Sequence, residues 1–155
     1  MTRKCFALIL AVAFVTPFLG TVSSLAQGEG DPVKLVLIRF NEAADADSGE
    51  LAIKAGLIKA GMDEGADYEM KVTSAQNDLP TLVNIVDAAV ADDVDILVPL
   101  QSMTLQPTVQ RAKNKPVVFH LVSDPILLNV AKSDKVHMPN LTGAYIKTQP
   151  AEFET

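Results

Sequence analysis

Four apolar segments of this chain each end in a short polar loop, and these loops carry the side chains best suited to hold a small molecule. The loops cover residues 39–42, 74–78, 100–104 and 122–125. The candidate ligand contacts in them are Asn41, Gln76, Ser102, Thr104, Ser123 and Asp124. Hydroxyl, amide and carboxylate groups of this kind pair with the polar groups of a solute. The same residue types also cap helices and close turns. The chemistry of these side chains alone therefore does not decide between ligand binding and capping.

The third loop has the most definite chemistry. Ser102 and Thr104 lie at the predicted start of a helix, where hydroxyls and free backbone N–H groups together accept a carboxylate or another anion. Asp124 can receive an ammonium or a hydroxyl group. We therefore predict a site for a small polar solute, built from several loops.

Other kinds of chemistry find little support in the sequence. His120 lies within an apolar segment and His137 in a loop, so no metal-ligand spacing is formed. No phosphate-binding glycine loop occurs, and Ser123 has no GxSxG context. We predict no metal, no cofactor and no catalysis. A hydrolase that uses Ser123 or Asp124 is disfavoured because no base lies beside either residue in the sequence.

An acidic cluster follows the first apolar segment. Its members are Glu42, Asp45, Asp47 and Glu50. We interpret the cluster as the solvated first turn of a helix, favoured by the helix dipole, and not as a phospho-acceptor site.

The segments that must position these loops alternate between strand and helix. Strands are predicted at 33–38, 68–73, 95–100, 117–122 and 140–146, and helices at 48–64, 80–92, 104–113 and 126–131. Short joints between alternating elements predict an α/β fold in which helices cover both faces of a parallel sheet. We interpret it as a three-layer sandwich with a flavodoxin-like sheet of order 2-1-3-4-5. The carboxyl ends of parallel strands share one edge, so the polar loops should gather there.

The N-terminus has the pattern of a cleaved signal peptide over residues 1–26, with Gln27 as the first mature residue. The single cysteine, Cys5, lies inside this leader, so the mature chain would contain no thiol. The formal net charge of −6 argues against nucleic acid as a partner. The sequence thus predicts an exported protein whose fold is stabilised by its core alone.

At its loops the chain resembles the periplasmic substrate-binding proteins of ABC transporters, including the tryptophan/tyrosine-type binding proteins. The resemblance lies in the segments 74–78, 95–98, 116–125 and 140–143, and in Ser102, Thr104 and Gln106. It implies one lobe of a type I periplasmic-binding fold, with no catalysis and no cofactor. It also implies a periplasmic role in which a small polar solute, such as an amino acid, is captured and passed to a membrane permease of an ABC transporter.

Two departures from that family qualify the resemblance. Residues 126–130 are bulky where the family favours small residues and glycine, which could reshape the pocket. The length suits only an N-terminal lobe over residues 33–147 and a truncated tail over residues 148–155. A second lobe or another chain would then complete the pocket, and the rival function is a periplasmic ligand-sensing or regulatory domain without a transport role.

Overall fold

The computed structural model describes residues 30–133 and 135–146. The predicted leader, residues 1–26, and the predicted tail, residues 148–155, lie outside the described residues. Within the described part, no helix has both the length and the apolar character needed to cross a membrane.

Five parallel strands form the main sheet, in the order β2-β1-β3-β4-β7. The strands are β1 Val33–Arg39, β2 Tyr68–Ser74, β3 Ile96–Leu100, β4 Val117–Val122, β5 Ala131–Ser133, β6 Val136–His137 and β7 Leu141–Tyr145. The helices are α1 Ala44–Lys59, α2 Leu79–Ala91 and α3 Ser102–Arg111. Because β7 is the predicted fifth strand, the predicted α/β class and strand order are confirmed.

The apolar residues of the central strands serve two core clusters, one on each face of the sheet. Val36 and Ile38 join the cluster that contains Leu82 of α2 and Leu105 of α3. Leu37 belongs to the cluster that contains Ala46 of α1. Alternate residues of a strand point to opposite faces, so β1 contributes to both clusters and the fold has three layers.

The starts of two helices differ from the sequence predictions. Helix α1 begins at Ala44, and the predicted N-cap, Ser48, lies inside it and donates its hydroxyl to the Ala44 carbonyl at 2.8 Å. Serine satisfies its hydroxyl in this way within a helix, so its presence does not fix the start. Helix α3 begins at Ser102, two residues before the predicted start.

The predicted helix over residues 126–131 is wrong. Residues 125–129 form turns, and the chain then enters the antiparallel β5–β6 hairpin. The Asp124 carboxylate accepts the backbone N–H of Ile126 at 2.7 Å, which closes a turn. Asn129 then adopts φ +55°, a left-handed conformation that ends any helical path.

Asp78 caps α2 as the sequence predicts, and we expect this cap to make stability depend on pH. Its carboxylate accepts the Thr81 N–H at 2.8 Å. Hydrogen bonds from the Thr81 side chain and then from its backbone hold the pKa of Asp78 below the ordinary value of 3.8. The ionised cap stabilises the fold fully above that value, and its contribution is lost as the pH falls through the lower folded pKa.

Thermal unfolding measured between pH 2 and pH 7 checks this expectation. Asp78→Ala should melt at a lower temperature than the wild type at neutral pH. The difference between the two melting temperatures should become smaller in acid. Asp92→Ala, at the other end of α2, is the matched control. An equal loss for Asp78→Ala at every pH would contradict the assigned role.

Candidate functional site

The loops that follow the parallel strands meet at one edge of the sheet, which we call the rim (residues 39–43, 74–78, 100–103 and 122–125). Backbone hydrogen bonds join these loops to one another and to the ends of the neighbouring strands. The N–H of Ala75 donates to the Arg39 carbonyl at 2.9 Å, and the N–H of Gln101 donates to the His120 carbonyl at 3.0 Å. The prediction that the strand tips gather at one edge is therefore confirmed.

An acceptor pair lies on the first loop of the rim and the start of α1. Gln101 donates its side-chain Nε2–H groups to Asn41 Oδ1 and to Asp45 Oδ2, both at 3.1 Å. Asn41 Oδ1 also accepts the Ala43 N–H at 3.2 Å. An amide oxygen and a carboxylate thus converge on a single N–H donor group.

Gln101 itself was not predicted, yet it is the most strained residue of the rim. Its backbone has φ +77° and ψ 156°, a region that belongs to glycine and costs about 1–3 kcal/mol for other residues. Its Oε1 atom is buried without a hydrogen-bond partner among the described residues. Strained and unsatisfied groups of this kind concentrate at functional positions. No sequence signal could have found this residue, because glutamine carries no preference for this conformation.

A donor pole lies beside that acceptor pair, at the start of α3. The hydroxyls of Ser102 and Ser123 are 3.0 Å apart, and the Ser123 N–H donates to Ser102 Oγ at 3.1 Å. Ser123 is exposed and Ser102 is half-buried. The two hydroxyls and the first-turn N–H groups of the helix can together receive an anionic group.

The other predicted contacts occupy different positions. Gln76 is exposed at the tip of the second loop, with φ +52°. Asp124 is half-buried and uses its carboxylate to close the turn at Ile126. Thr104 has no exposed surface, and its hydroxyl donates to the carbonyls of Leu100 and Gln101 at 2.8 and 2.9 Å. Since α3 begins at Ser102, Thr104 turns inward and supports the rim from beneath, so it is not among the surface contacts.

Arg39, also unpredicted, ties the first loop to α1. Its guanidinium is 2.5 Å from Asp47 Oδ1 and 3.0 Å from Glu50 Oε2, and its Nε donates to the Asn41 carbonyl at 3.3 Å. The arginine side chain is 9% exposed and that of Glu50 18%. Asp45 and Asp47 do lie in the first turn of α1 as expected, but Glu50 is a partly buried ion-pair partner and not a solvated residue.

The fold is a single α/β lobe with an open parallel sheet, whose polar loops gather at one edge. A family model described as ABC transporter substrate binding protein matches residues 38–152. The chain belongs to this family.

Known proteins similar to this chain include a curated tyrosine-binding protein of Clostridioides difficile (strain R20291). It is 29% identical over 94 residues, which cover 58% of this chain and 27% of that protein. A ligand-free, open substrate binding protein with adhesive properties from Clostridium difficile has a TM-score of 0.72 at 22% identity. That comparison covers 77% of this chain and 41% of the other.

Two more solved structures share the fold. An ABC domain in complex with L-Trp from Streptococcus pneumoniae has a TM-score of 0.70 at 22% identity, over 74% of this chain and 39% of that one. A conserved domain protein from Vibrio cholerae has a TM-score of 0.70 at 26% identity, over 79% of this chain and 41% of that one. The chain therefore spans less than half the length of these relatives, and the predicted one-lobe fold is confirmed.

Proposed function

We propose that this chain is the solute-binding component of an ABC import system and that its rim binds an amino acid. The observation that carries the proposal is the pairing of two poles on the rim. On the acceptor side, the Asp45 carboxylate suits an ammonium group, because only its Oδ2 is engaged by Gln101, whereas Asn41 Oδ1 already accepts two hydrogen bonds and holds the loop in place. The donor pole of Ser102 and Ser123 suits a carboxylate. An α-amino acid presents these two groups side by side.

The relatives support the same class of ligand. One curated relative is a tyrosine-binding protein, and one solved structure of the same fold contains L-Trp. We infer that the ligand of this chain is an amino acid, with an aromatic one the first to test. Gln76 and Asp124 lie on the flanking loops and would contact its side chain.

The wider role follows from the family. We propose that residues 1–26 are a signal peptide, that the protein acts in the periplasm and that it delivers its solute to a membrane permease. Residues 33–147 would form the first lobe, and a second lobe or another chain would close over the rim, because pockets bury most of a ligand's surface. We infer no catalysis, since no imidazole or carboxylate among the described residues hydrogen-bonds to the Ser123 hydroxyl.

Calorimetric titration with L-tyrosine and L-tryptophan tests the two-pole site. Ser102→Ala should weaken binding of the amino acid about tenfold, because one hydrogen bond to its carboxylate is lost. It should leave the binding of tyramine, which lacks that carboxylate, unchanged. Asp45→Asn should weaken the binding of both L-tyrosine and tyramine, because both carry the ammonium group. It should leave unchanged the binding of 3-(4-hydroxyphenyl)propionate, the analogue of tyrosine that lacks this group.

Glu69→Gln, on the exposed face of the edge strand β2, is the control. It should change the affinity for neither the amino acid nor tyramine. A thermal-shift screen of the chain from Gln27 onward tests ligands with other side chains. Its melting temperature is measured with each amino acid, with and without a separately supplied second lobe. No shift with any of them in either format would overturn the proposal.

A further inference from the structure

A groove of about 690 Å³ runs along the outer side of α3, between this helix and the β5–β6 hairpin. None of the described residues that line it belongs to the rim. Its volume falls in the range of small-molecule sites. Part of its wall is formed by residues 128–130, which belong to the segment of bulky residues noted in the sequence.

The groove is held at both ends by side-chain hydrogen bonds. Near the rim, Gln106 of α3 donates to the Leu128 carbonyl at 2.9 Å. At the opposite end, Asn140 donates to the carbonyls of Ala112 and Lys115 at 2.7 and 2.9 Å. The α3 stretch between these points is roughly 9 Å long at 1.5 Å per residue. The groove is thus already formed in the free lobe, and its length matches a ring system or a short aliphatic chain.

The floor of the groove is apolar. Val109 belongs to the core and is 6% exposed, while Leu128, Val130 and Met138 pack against the same core cluster. Val136 lines the outer wall and is 54% exposed. A ligand that lies here would cover this valine and gain from its burial.

The charged side chains among the described residues that line the groove are basic. Lys113 and Lys132 are exposed and line it, and none of its described lining residues is acidic. Neither ammonium group forms a salt bridge with a described residue. This local excess of positive charge lies on a chain whose formal net charge is −6.

We propose that this groove is a second binding site, which takes a small organic anion with an apolar body. The apolar floor would hold the body, and the ammonium groups of Lys113 and Lys132 would pair with the anionic group. The site is separate from the rim and does not depend on the function proposed for it.

Titration of the chain from Gln27 onward with decanoate and with decanol tests the site. The two probes share the same apolar chain and differ in charge. Decanoate should bind more tightly than decanol. Lys113→Met and Lys132→Met should each weaken decanoate binding about threefold, and the double variant about tenfold, as expected for exposed ion pairs. Decanol binding should not fall in these variants, since methionine keeps an apolar side chain of similar length.

Further variants distinguish binding in the groove from binding elsewhere on the lobe. Lys71→Met, on β2 at the far edge of the sheet, should leave both probes unchanged. Val136→Ser should weaken both probes, because it removes apolar wall without altering charge. Amino-acid binding at the rim should be unaffected by all of these changes.

The main rival is the apolar trough of about 440 Å³ on the opposite face of the sheet, which Val118 and Ala144 line. Ala144→Glu should leave decanoate binding intact if the groove is the site. Loss of binding in Ala144→Glu, with no response in the lysine variants, would overturn the proposal. Equal affinity for decanoate and decanol would overturn its claim of anion selectivity.

Discussion

Gly143→Ala is expected to destabilise the lobe by about 3 kcal/mol, near the upper end of the cost of overpacking. Gly143 of β7 pairs with Phe119 of β4. A Cβ atom at this position would overlap the Phe119 carbonyl oxygen and would lie 2.6 Å from its ring Cγ. The carbonyl belongs to a strand in the middle of the pairing, so it cannot move aside without separating β7 from the sheet. Thermal unfolding should show a melting temperature lower by roughly 10 °C.

Two other glycines supply matched controls for the same chemical change. Gly56 lies on the exposed face of α1, with nothing within 4 Å of an added Cβ, so Gly56→Ala should stabilise by about 0.5–1 kcal/mol. At Gly49 the added Cβ would meet only the flexible end of Leu100, at 2.9 Å. The change in the free energy of unfolding for Gly49→Ala should therefore lie between those for Gly143→Ala and Gly56→Ala. A Gly143→Ala protein that melts like the wild type would show that β4 and β7 pair differently.

Arg39→Met is the second large effect, and we expect a loss of about 2–3 kcal/mol in the free energy of unfolding. Removing one partner of a buried ion pair leaves the other charge uncompensated, at a cost of about 3–5 kcal/mol. Here the cost is reduced because Asp47 is 58% exposed and Glu50 keeps Lys54, at 3.1 Å, as a partner. Denaturant unfolding measures the difference directly.

The partners of Arg39 distinguish a buried ion pair from a surface one. Asp47→Asn should cost less than about 1 kcal/mol, because that carboxylate is mostly in solvent. Arg39→Lys keeps the charge but loses the forked geometry that reaches two carboxylates, so its loss should lie between the two. Equal small losses in all three variants would mean that the pair contributes little to stability.

Local patterns in the sequence were sufficient for the sheet. The apolar runs, their polar ends and the caps act over a few residues, so the strands and the places where their loops begin could be predicted. The start of α1 could not, because Ser48 satisfies its hydroxyl equally well inside the helix. The error of two residues at the start of α3 had a larger consequence, since it turned Thr104 from the surface into the core.

The unpredicted residues of the rim depend on contacts between distant segments. Gln101 acquires its positive φ where β3 joins α3, and its side chain bonds to the loop after β1. Arg39 is defined by acids on a helix that follows it. Neither relation has a signature in the order of the residues, because each arises only when the sheet has formed.

The parallel pairing of every strand in the main sheet has a consequence for how this chain folds. Val33 pairs with Tyr68, and Val117 pairs with Leu141, so a long intervening segment separates each strand from its neighbour. No hairpin can nucleate this sheet, and each pairing must first overcome the entropy of closing a long loop. We expect slow folding, with the pairing of β1 and β3 formed last, because its partners Leu35 and Ile96 lie farther apart along the chain than those of the other pairings in this sheet. A nascent chain of this topology spends longer in the extended state, which leaves more time for chaperones to bind it.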